Sequence, residues 1–462
     1  MVKTGLIIAA GMGSRLADGS NVPKPLRKVC GMPLLKRTLY AAYKAGLEKV
    51  CVVVGFEKEK IIDYLKTETW PIQVEIVENT NWQKSNGVSV LSARDKIHED
   101  FVLLMSDHVF SFPLLKKLCA EELGSFAAKL AVDFKIREIF DPEDATKVEV
   151  QEGLIRAIGK DLVQYNAVDT GCFLMSPAIF AALEDALAKK GDCSLSDGIR
   201  ILAQQNKMGI SDIGPEFWQD VDTPETLIYT EERLLQACRK PTDGIVSRNF
   251  NRYISLFISR RLVKTNMTAN QVTLIVTILG LCSGVLAACG NYSSYLLAAF
   301  LFKWTSILDG VDGEMSKLRL TDSKLGQWLD TIGDNLTYVV FIVGTVIGVN
   351  RRPDLMSSAT LSYLALIGLG MLLVTMFTIL ITSTDSGSLL AIQKDFVQAE
   401  QKSILTKLWG KIYFVIKRDF FATLFFILAI FDKPHWILFL VALATNVAWV
   451  VVLQSRFRTR HV

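Results

Sequence analysis

Asp309-Gly310-Val311-Asp312-Gly313-Glu314-Met315-Ser316-Lys317, eight further residues, and then Gly326-Gln327-Trp328-Leu329-Asp330-Thr331-Ile332-Gly333-Asp334 form the stretch that decides how this chain is built. Apolar runs flank it, Tyr295 to Leu308 before and Val339 to Val349 after, so its carboxylates fall where two membrane helices approach a water boundary. Asp309 and Asp312 stand i, i+3, and Asp330 and Asp334 stand i, i+4. Each pair can share a helix face, and two antiparallel helices can converge all four on one divalent cation. Gly313 and Gly326 would let backbone or ligand come close. Acids at such a boundary are costly, which makes a functional cluster the stronger reading and solvated loop acids the weaker one.

The spacing resembles the signature of the CDP-alcohol phosphotransferase family, D-x-x-D-G-x-x-A-R, eight residues, then G-x-x-x-D-x-x-x-D, with every acid and glycine in register. The resemblance implies that Asp309, Asp312 and Asp330 hold metal ions. It places Asp334 at the same site as the general base that deprotonates an acceptor hydroxyl, with Gly313 and Lys317 on the CDP moiety. One departure is Ser316-Lys317 in place of Ala-Arg. Lysine keeps the charge but lacks the two-pronged phosphate contact of arginine.

Outward from this stretch the chain has two regimes. Over 462 residues it is 50% hydrophobic yet 21% charged, with a mean hydropathy of +0.31. Up to about residue 264 apolar strands alternate with charged helices, and beyond it long apolar runs dominate. The expected domains are a soluble 1–232, a linker and juxtamembrane helix over 233–264, and a transmembrane 265–462. A formal net charge of +4 and the lack of a basic-aromatic stripe argue against nucleic acid as a partner. Eight cysteines without a C-x-x-C pair argue against a zinc site or disulfide framework and fit a reducing cytoplasm. The N-terminus enters a short strand directly and lacks a signal-peptide pattern.

Gly5 to Ala10 reads as a buried parallel strand, followed by Gly11-Met12-Gly13-Ser14-Arg15-Leu16 and then Pro23-Lys24-Pro25-Leu26. Helical periodicity over Pro33 to Leu47 and a second strand at Lys49 to Gly55 predict an open, mostly parallel α/β sheet with its ligand at the strand carboxyl ends. Arg15 and Lys24 would set cations beside backbone N–H groups around a triphosphate. The third glycine of a dinucleotide fingerprint is Leu16, and no Gly-Lys-Ser/Thr of a P-loop follows. The run resembles the nucleotidyltransferases that join a nucleoside triphosphate to a small phosphate. That likeness implies nucleotide contacts from Ala10, Gly11, Gly13 and Ser14, with Arg15 and Lys24 catalytic.

Phe101 to Met105 predicts another strand with Asp107 at its end, placed to hold magnesium against the triphosphate. Trp218-Gln219-Asp220-Val221-Asp222 supplies two later acids, of which Asp220 is favoured over Asp222 as the second metal ligand, the alternative being that one of them caps the helix starting near Pro224. His108 reads as structural. Asn79, Asn86, Gly87 and Ser89, before a helix expected over Val90 to Ile97, could read a pyrimidine edge. The segments Asp144 to Val148 and Ile158 to Gly171 resemble inositol-1-phosphate cytidylyltransferases, with Asp144, Lys147 and Asp169 as substrate contacts or, in the blander reading, turn caps.

Thr226 to Lys240 has helical spacing, and Arg248 to Arg261 reads as an amphipathic helix on an anionic leaflet. Hydrophobic spans are expected at 270–289, 292–309, 334–350, 358–382, 419–432 and 435–453, making a six-helix membrane domain. Arg260, Arg261, Lys264, Lys394, Lys402, Lys407, Lys411, Lys417, Arg418, Arg456, Arg458 and Arg460 place both termini and the soluble domain in the cytoplasm, at the inner membrane. Arg418 could hold an acceptor phosphate or serve as a plain membrane anchor.

The whole order resembles fused inositol-1-phosphate cytidylyltransferase and CDP-alcohol phosphotransferases. This implies a bifunctional, magnesium-dependent enzyme, with manganese as substitute. It would couple CTP to inositol 1-phosphate, release pyrophosphate, and pass the head group to an acceptor hydroxyl with release of CMP. The resembling membrane domains pair as homodimers. A second reading keeps both reactions but takes phosphocholine or 2-aminoethylphosphonate and a diacylglycerol-type membrane lipid. A third, from another class, is a transporter or sensor that only binds nucleotide.

Overall fold

The computed structural model describes residues 1–13, 16, 22–240, 243–353, 355, 359–383 and 417–459. Ser14, Arg15, Lys394, Lys402, Lys407, Lys411 and Arg460 lie outside the described residues. The chain divides into two compact units, Met1–Leu234 and Leu235–Val462.

Among the described residues the first unit has thirteen strands: β1 (Thr4–Ala9), β2 (Lys28–Val29), β3 (Met32–Pro33), β4 (Lys49–Val54), β5 (Gln73–Glu78), β6 (Phe101–Met105), β7 (His108–Phe110), β8 (Ala128–Asp133), β9 (Lys147–Gln151), β10 (Leu154–Gly159), β11 (Ala167–Met175), β12 (Met208–Asp212) and β13 (Trp218–Asp220). Nine of them form one sheet in the order β5-β4-β1-β6-β11-β8-β12-β10-β9. β11 and β10 run against the other seven. Every residue of β1 is buried, the signature of a strand covered on both faces. Leu6 and Ile8 enter one hydrophobic core and Ile7 and Ala9 the other, as the two-residue period of a strand requires.

The chain runs outward from β1 through β4 to β5 and then returns to place β6 on the other side of β1. That reversal opens a crevice beyond the carboxyl ends of β1 and β6, where an open α/β sheet binds its ligand. The helices covering the sheet include α1 (Leu34–Ala45), α2 (Lys58–Thr67), α3 (Asn86–Leu91), α4 (Phe112–Ala120), α5 (Ala178–Lys190) and α6 (Leu195–Gln204), and α7 (Pro224–Gln236) follows β13. α3 begins earlier than its sequence suggests. Asp192 accepts from the Ser85 N–H (3.0 Å) and hydroxyl (2.8 Å), and Asn86 Oδ1 accepts from the Leu195 N–H at 2.8 Å, so a distant segment pins the helix start.

The second unit is helical. A single π-helical turn, Ser247–Asn251, leads into α8 (Arg252–Leu262), followed by α9 (Ala269–Ala288), α10 (Tyr292–Arg319), α11 (Lys324–Asn350), α12 (Ala359–Ser383) and the helices Arg418–Ile430 and Pro434–Thr459. Thr268, Asn291 and Ser323 cap α9, α10 and α11 by accepting backbone N–H bonds. α9 and α11 lie very close because small residues line their seam: a Cβ on Gly344 would sit 2.1 Å from the Gly284 carbonyl oxygen, and one on Gly348 equally near that of Ala287. Phe302 of α10 and Phe341 of α11 stack at 4.3 Å, with Phe425 of the helix Arg418–Ile430 at 6.2 Å from Phe302.

Among the described residues three helices, Ala269–Ala288, Lys324–Asn350 and Ala359–Ile381, are long and apolar enough to cross a membrane. α10 is longer than α9 but carries Lys303, Asp309, Asp312 and Glu314. The segment expected to be amphipathic buries Arg252, Ser255, Leu256 and Ser259, while Phe250, Tyr253 and Phe257 are exposed. The row Arg252, Ser255 and Ser259 therefore turns inward, while Arg248, Arg260 and Arg261 stay exposed alongside the aromatic residues.

Candidate active sites

In the first unit the Gly11 to Gly13 turn and Asp107 come together through Lys24. Pro23 and Pro25 fix the backbone on both sides of Lys24, which is only 8% exposed. Gly13 has φ +59°, and a Cβ there would lie 2.5 Å from Lys24 Cβ, so only glycine permits this approach. Lys24 Nζ donates to Asp107 Oδ2 at 2.6 Å, pairs with Asp222, and lies 3.7 Å from Asp220 Oδ1. Ala10 is buried with its carbonyl accepting the Phe56 N–H at 3.0 Å, while no atom lies within 4 Å of a Cβ built on Gly11.

The register of one short ribbon explains why Asp220 joins Asp107. β13 runs antiparallel to β7 with Asp220 opposite His108, and the Val221 N–H donates to the Asp107 carbonyl at 3.0 Å. Thr223 accepts the Thr226 N–H at 3.2 Å at the start of α7, so the cap is a threonine and neither acid takes that place. His108 Nδ1 lies 2.9 Å from Asp107 Oδ1, and its ring stacks on Trp218 and Phe110. Burial alone would raise the Asp107 carboxyl, but Lys24 and His108 outweigh it and hold the group well below the ordinary carboxylate range. Burial opposes protonation of His108, and Asp220 and Asp107 overcome it, so its pKa is raised.

A cavity of about 500 Å³ opens from this cluster, lined by Asn86, Asp107, Asp144, Lys160, Asp169 and Asp220 among others. Asp144 brings a carboxylate oxygen within 4.8 Å of those of Asp220 and Asp222, and also accepts from Lys160 at 2.7 Å. Asp169 accepts the Gly171 N–H at 2.7 Å, and burial pushes its pKa up to about 6. Lys147 is not among the residues lining the cavity: its ammonium lies over the Tyr165 ring at 5.6 Å, and the neighbouring Thr146 faces the cavity instead. Lys160, Lys135 and Arg233 line the cavity without having been singled out from sequence. Gly87 packs on the Cys193 carbonyl, and Ser89 accepts from Asn79 at 3.0 Å, so both support the wall rather than face its interior.

In the second unit the helical spacings converge three of the four acids. Carboxylate oxygens of Asp309, Asp330 and Asp334 lie within 4.8 Å of one another. The fourth, Asp312, turns toward α9, where it accepts from the Thr273 hydroxyl and from the Gly313 N–H at 2.6 Å. Arg418 sits among the three, donating to Asp309 at 3.1 Å and to Asp334, with its other terminal nitrogen 3.1 Å from the Thr337 hydroxyl. No atom lies within 4 Å of a Cβ built on Gly313, and Lys317 is exposed with its ammonium on the Ala237 carbonyl. Both clusters offer hard oxygen donors, the ligand set of a divalent cation such as magnesium.

Comparison with known proteins agrees with this division. Residues 5–200 match the family described as MobA-like NTP transferase domain, and residues 266–453 match CDP-alcohol phosphatidyltransferase. The chain is 34% identical over 357 residues to the "Bifunctional IPC transferase and DIPP synthase" of Aquifex aeolicus, covering 77% of this chain and 79% of that protein. It is 35% identical over 349 residues to the protein of the same description from Rubrobacter xylanophilus, covering 75% and 77%. Among solved structures, the inositol-1-phosphate CTP transferase from T. maritima superposes with a TM-score of 0.46 and 27% identity, over 50% of this chain and 95% of that one. With its nucleotidyltransferase match, its CDP-alcohol phosphotransferase match and relatives at this identity over about three quarters of both chains, the chain belongs to the family of bifunctional IPC transferases and DIPP synthases.

Proposed function

We propose that residues 1–232 couple CTP to inositol 1-phosphate, and that residues 265–462, joined through 233–264, transfer the phosphoinositol group of the CDP-inositol so formed to a second inositol phosphate, giving di-inositol-phosphate phosphate and CMP. The observation that carries this reading is that, among the described residues, each unit holds a carboxylate cluster with a basic side chain, Lys24 or Arg418, among its acids.

In the first step a phosphate oxygen of inositol 1-phosphate attacks the α-phosphorus of CTP; that P–O bond forms as the bond to the β-phosphate breaks and pyrophosphate leaves. Lys24 faces the place where charge builds on the departing phosphate, and the Gly11 turn leaves room for its oxygens. Arg15 would add a second cation. Asn86, Gly87 and Ser89 shape the base pocket, while Asp144, Lys160 and Asp169 offer donors and acceptors to a polyol. Asp107 and Asp220, with Asp222 beside them, would hold magnesium, for which manganese is the expected substitute.

In the second step Asp334 takes the proton of the acceptor hydroxyl. The resulting oxygen attacks the β-phosphorus of CDP-inositol, and the bond to the α-phosphate breaks to release CMP. Asp309, Asp330 and Asp334, with Asp312 one turn from Asp309, would hold the divalent cation. When bound, the cation neutralises charge on the diphosphate and its leaving group. Arg418 directs the acceptor phosphate, and Gly313 and Lys317 receive the CDP moiety. The six apolar spans would cross the cell inner membrane with the soluble unit and both termini in the cytoplasm, and the membrane unit would pair as a homodimer.

Purified protein given CTP, magnesium and inositol 1-phosphate should release pyrophosphate and then CMP. Release only with phosphocholine or 2-aminoethylphosphonate would reject this substrate.

A further inference from the structure

The signature stretch of α10 contains an acid that the two half-reactions leave unused. Glu314 has a side chain only 1% exposed and accepts three bonds from one face of α8: Arg252 at 2.6 Å, Ser255 at 2.7 Å and Ser259 at 2.6 Å. The i, i+3, i+7 spacing of these donors sets them in one row along α8. Gly310, one turn before Glu314, makes room for them, since a Cβ there would lie 3.0 Å from the Arg252 guanidinium. Arg252 also grips Asp243 through two nitrogens, at 2.8 and 2.7 Å. A buried carboxylate satisfied in this way is costly to disturb, because losing a donor leaves charge unpaired in a dry site.

The same segment is fixed at two further places. Lys303 of α10 donates to Asn251 at 2.8 Å. The Ser247 N–H donates at 2.7 Å to Asp419, which is 7% exposed and packs so closely on Gly244 that a Cβ there would clash with its carboxylate. Asp419 is the chain neighbour of Arg418. Residues 243–259 thus bridge the helix that carries Asp309 and the helix that begins with Arg418.

We propose that this bridge is a polar brace in which Glu314 and Asp419 are positioning residues for the transfer reaction. Glu314 sets the rotation of α10 that turns Asp309 toward Asp330 and Asp334. Asp419 sets the start of the helix Arg418–Ile430 and so directs Arg418 into the cluster. The inference rests on the reading of that acid cluster as the transfer site.

The test uses the full chain in detergent, with Glu314→Gln and Asp419→Asn, neither of which removes a cluster ligand. Transfer is measured from supplied CDP-inositol and inositol 1-phosphate. Mn²⁺ binding is read from its EPR signal, with the second-unit share identified by its loss in Asp330→Asn. The brace predicts that Glu314→Gln lowers transfer kcat about 10- to 100-fold and weakens second-unit Mn²⁺ binding. It predicts that Asp419→Asn chiefly raises the KM for the acceptor, while pyrophosphate release from CTP is unchanged in both. A lowered Tm with unaltered kcat, KM and Mn²⁺ affinity in the folded protein would overturn the brace alone. If Asp330→Asn itself keeps both Mn²⁺ binding and transfer, the cluster is not the transfer site and both readings fall.

Discussion

The two units solve one electrostatic problem with different backbones. In the first, carboxylates arrive from places far apart in sequence, Asp107 between β6 and β7 and Asp220 on β13, which pairs with β7, and Lys24 comes from a proline-bounded turn. In the second they arrive by helical periodicity, Asp330 and Asp334 from α11 and Asp309 from α10, and the basic group heads another helix. A sheet edge gathers donors by register, whereas a bundle gathers them by rotation about helix axes. The second arrangement therefore depends on side-to-side packing of helices, here the glycine seam of α9 with α11 and the Phe302–Phe341 stack.

If the two sites are chemically independent, damage should stay in its own half. The largest effect is expected from Asp334→Asn, which should lower CMP release from supplied CDP-inositol by about 10²- to 10⁴-fold, the range for losing a general base. Pyrophosphate release from CTP should be untouched; an equal loss in both assays would break the comparison. Lys24→Ala should lower pyrophosphate release by about 10²- to 10³-fold and leave transfer intact, as for loss of one group stabilising developing charge. Arg418→Lys should keep the charge but lose the shared contact with Asp309, Asp334 and Thr337, raising the KM for the acceptor phosphate by about tenfold, the scale of a lost charged hydrogen bond.

The smallest effect concerns stability. Burial raises the Asp169 pKa to about 6, above its unfolded value near 3.9. The folded state therefore favours the protonated acid, and the stability this adds is present below about pH 4 and lost as pH rises through about 6. Asp169→Asn should match the parent in thermal unfolding near pH 4 and exceed it at pH 8 by on the order of 1 kcal/mol. Equal stability at both values would remove Asp169 from the buried wall of the cavity.

Much of both sites was legible because short-range rules govern it. The strand-end position of Asp107 and the i, i+4 pair Asp330 and Asp334 follow from local periodicity alone. What escaped depends on contacts between distant residues. Asp312 accepts from the Thr273 hydroxyl, 39 residues earlier, a contact that nothing in the motif signals. Lys147, the first residue of β9, meets Tyr165, and Thr146 just before it lines the cavity, a division that spacing in the sequence does not signal. The inward row Arg252, Ser255 and Ser259 of α8 is not signalled by local periodicity, because its acceptor Glu314 lies far along the chain.

The central claim is that two separate carboxylate sites on one chain perform two successive reactions through a product that can leave the first. Mixing chains carrying Lys24→Ala with chains carrying Asp334→Asn, in the presence of CTP, magnesium and inositol 1-phosphate, tests it directly. The Asp334→Asn chain should supply CDP-inositol to the Lys24→Ala chain, so the mixture should release CMP although neither variant alone does. A mixture as silent in CMP as its two components would contradict the account.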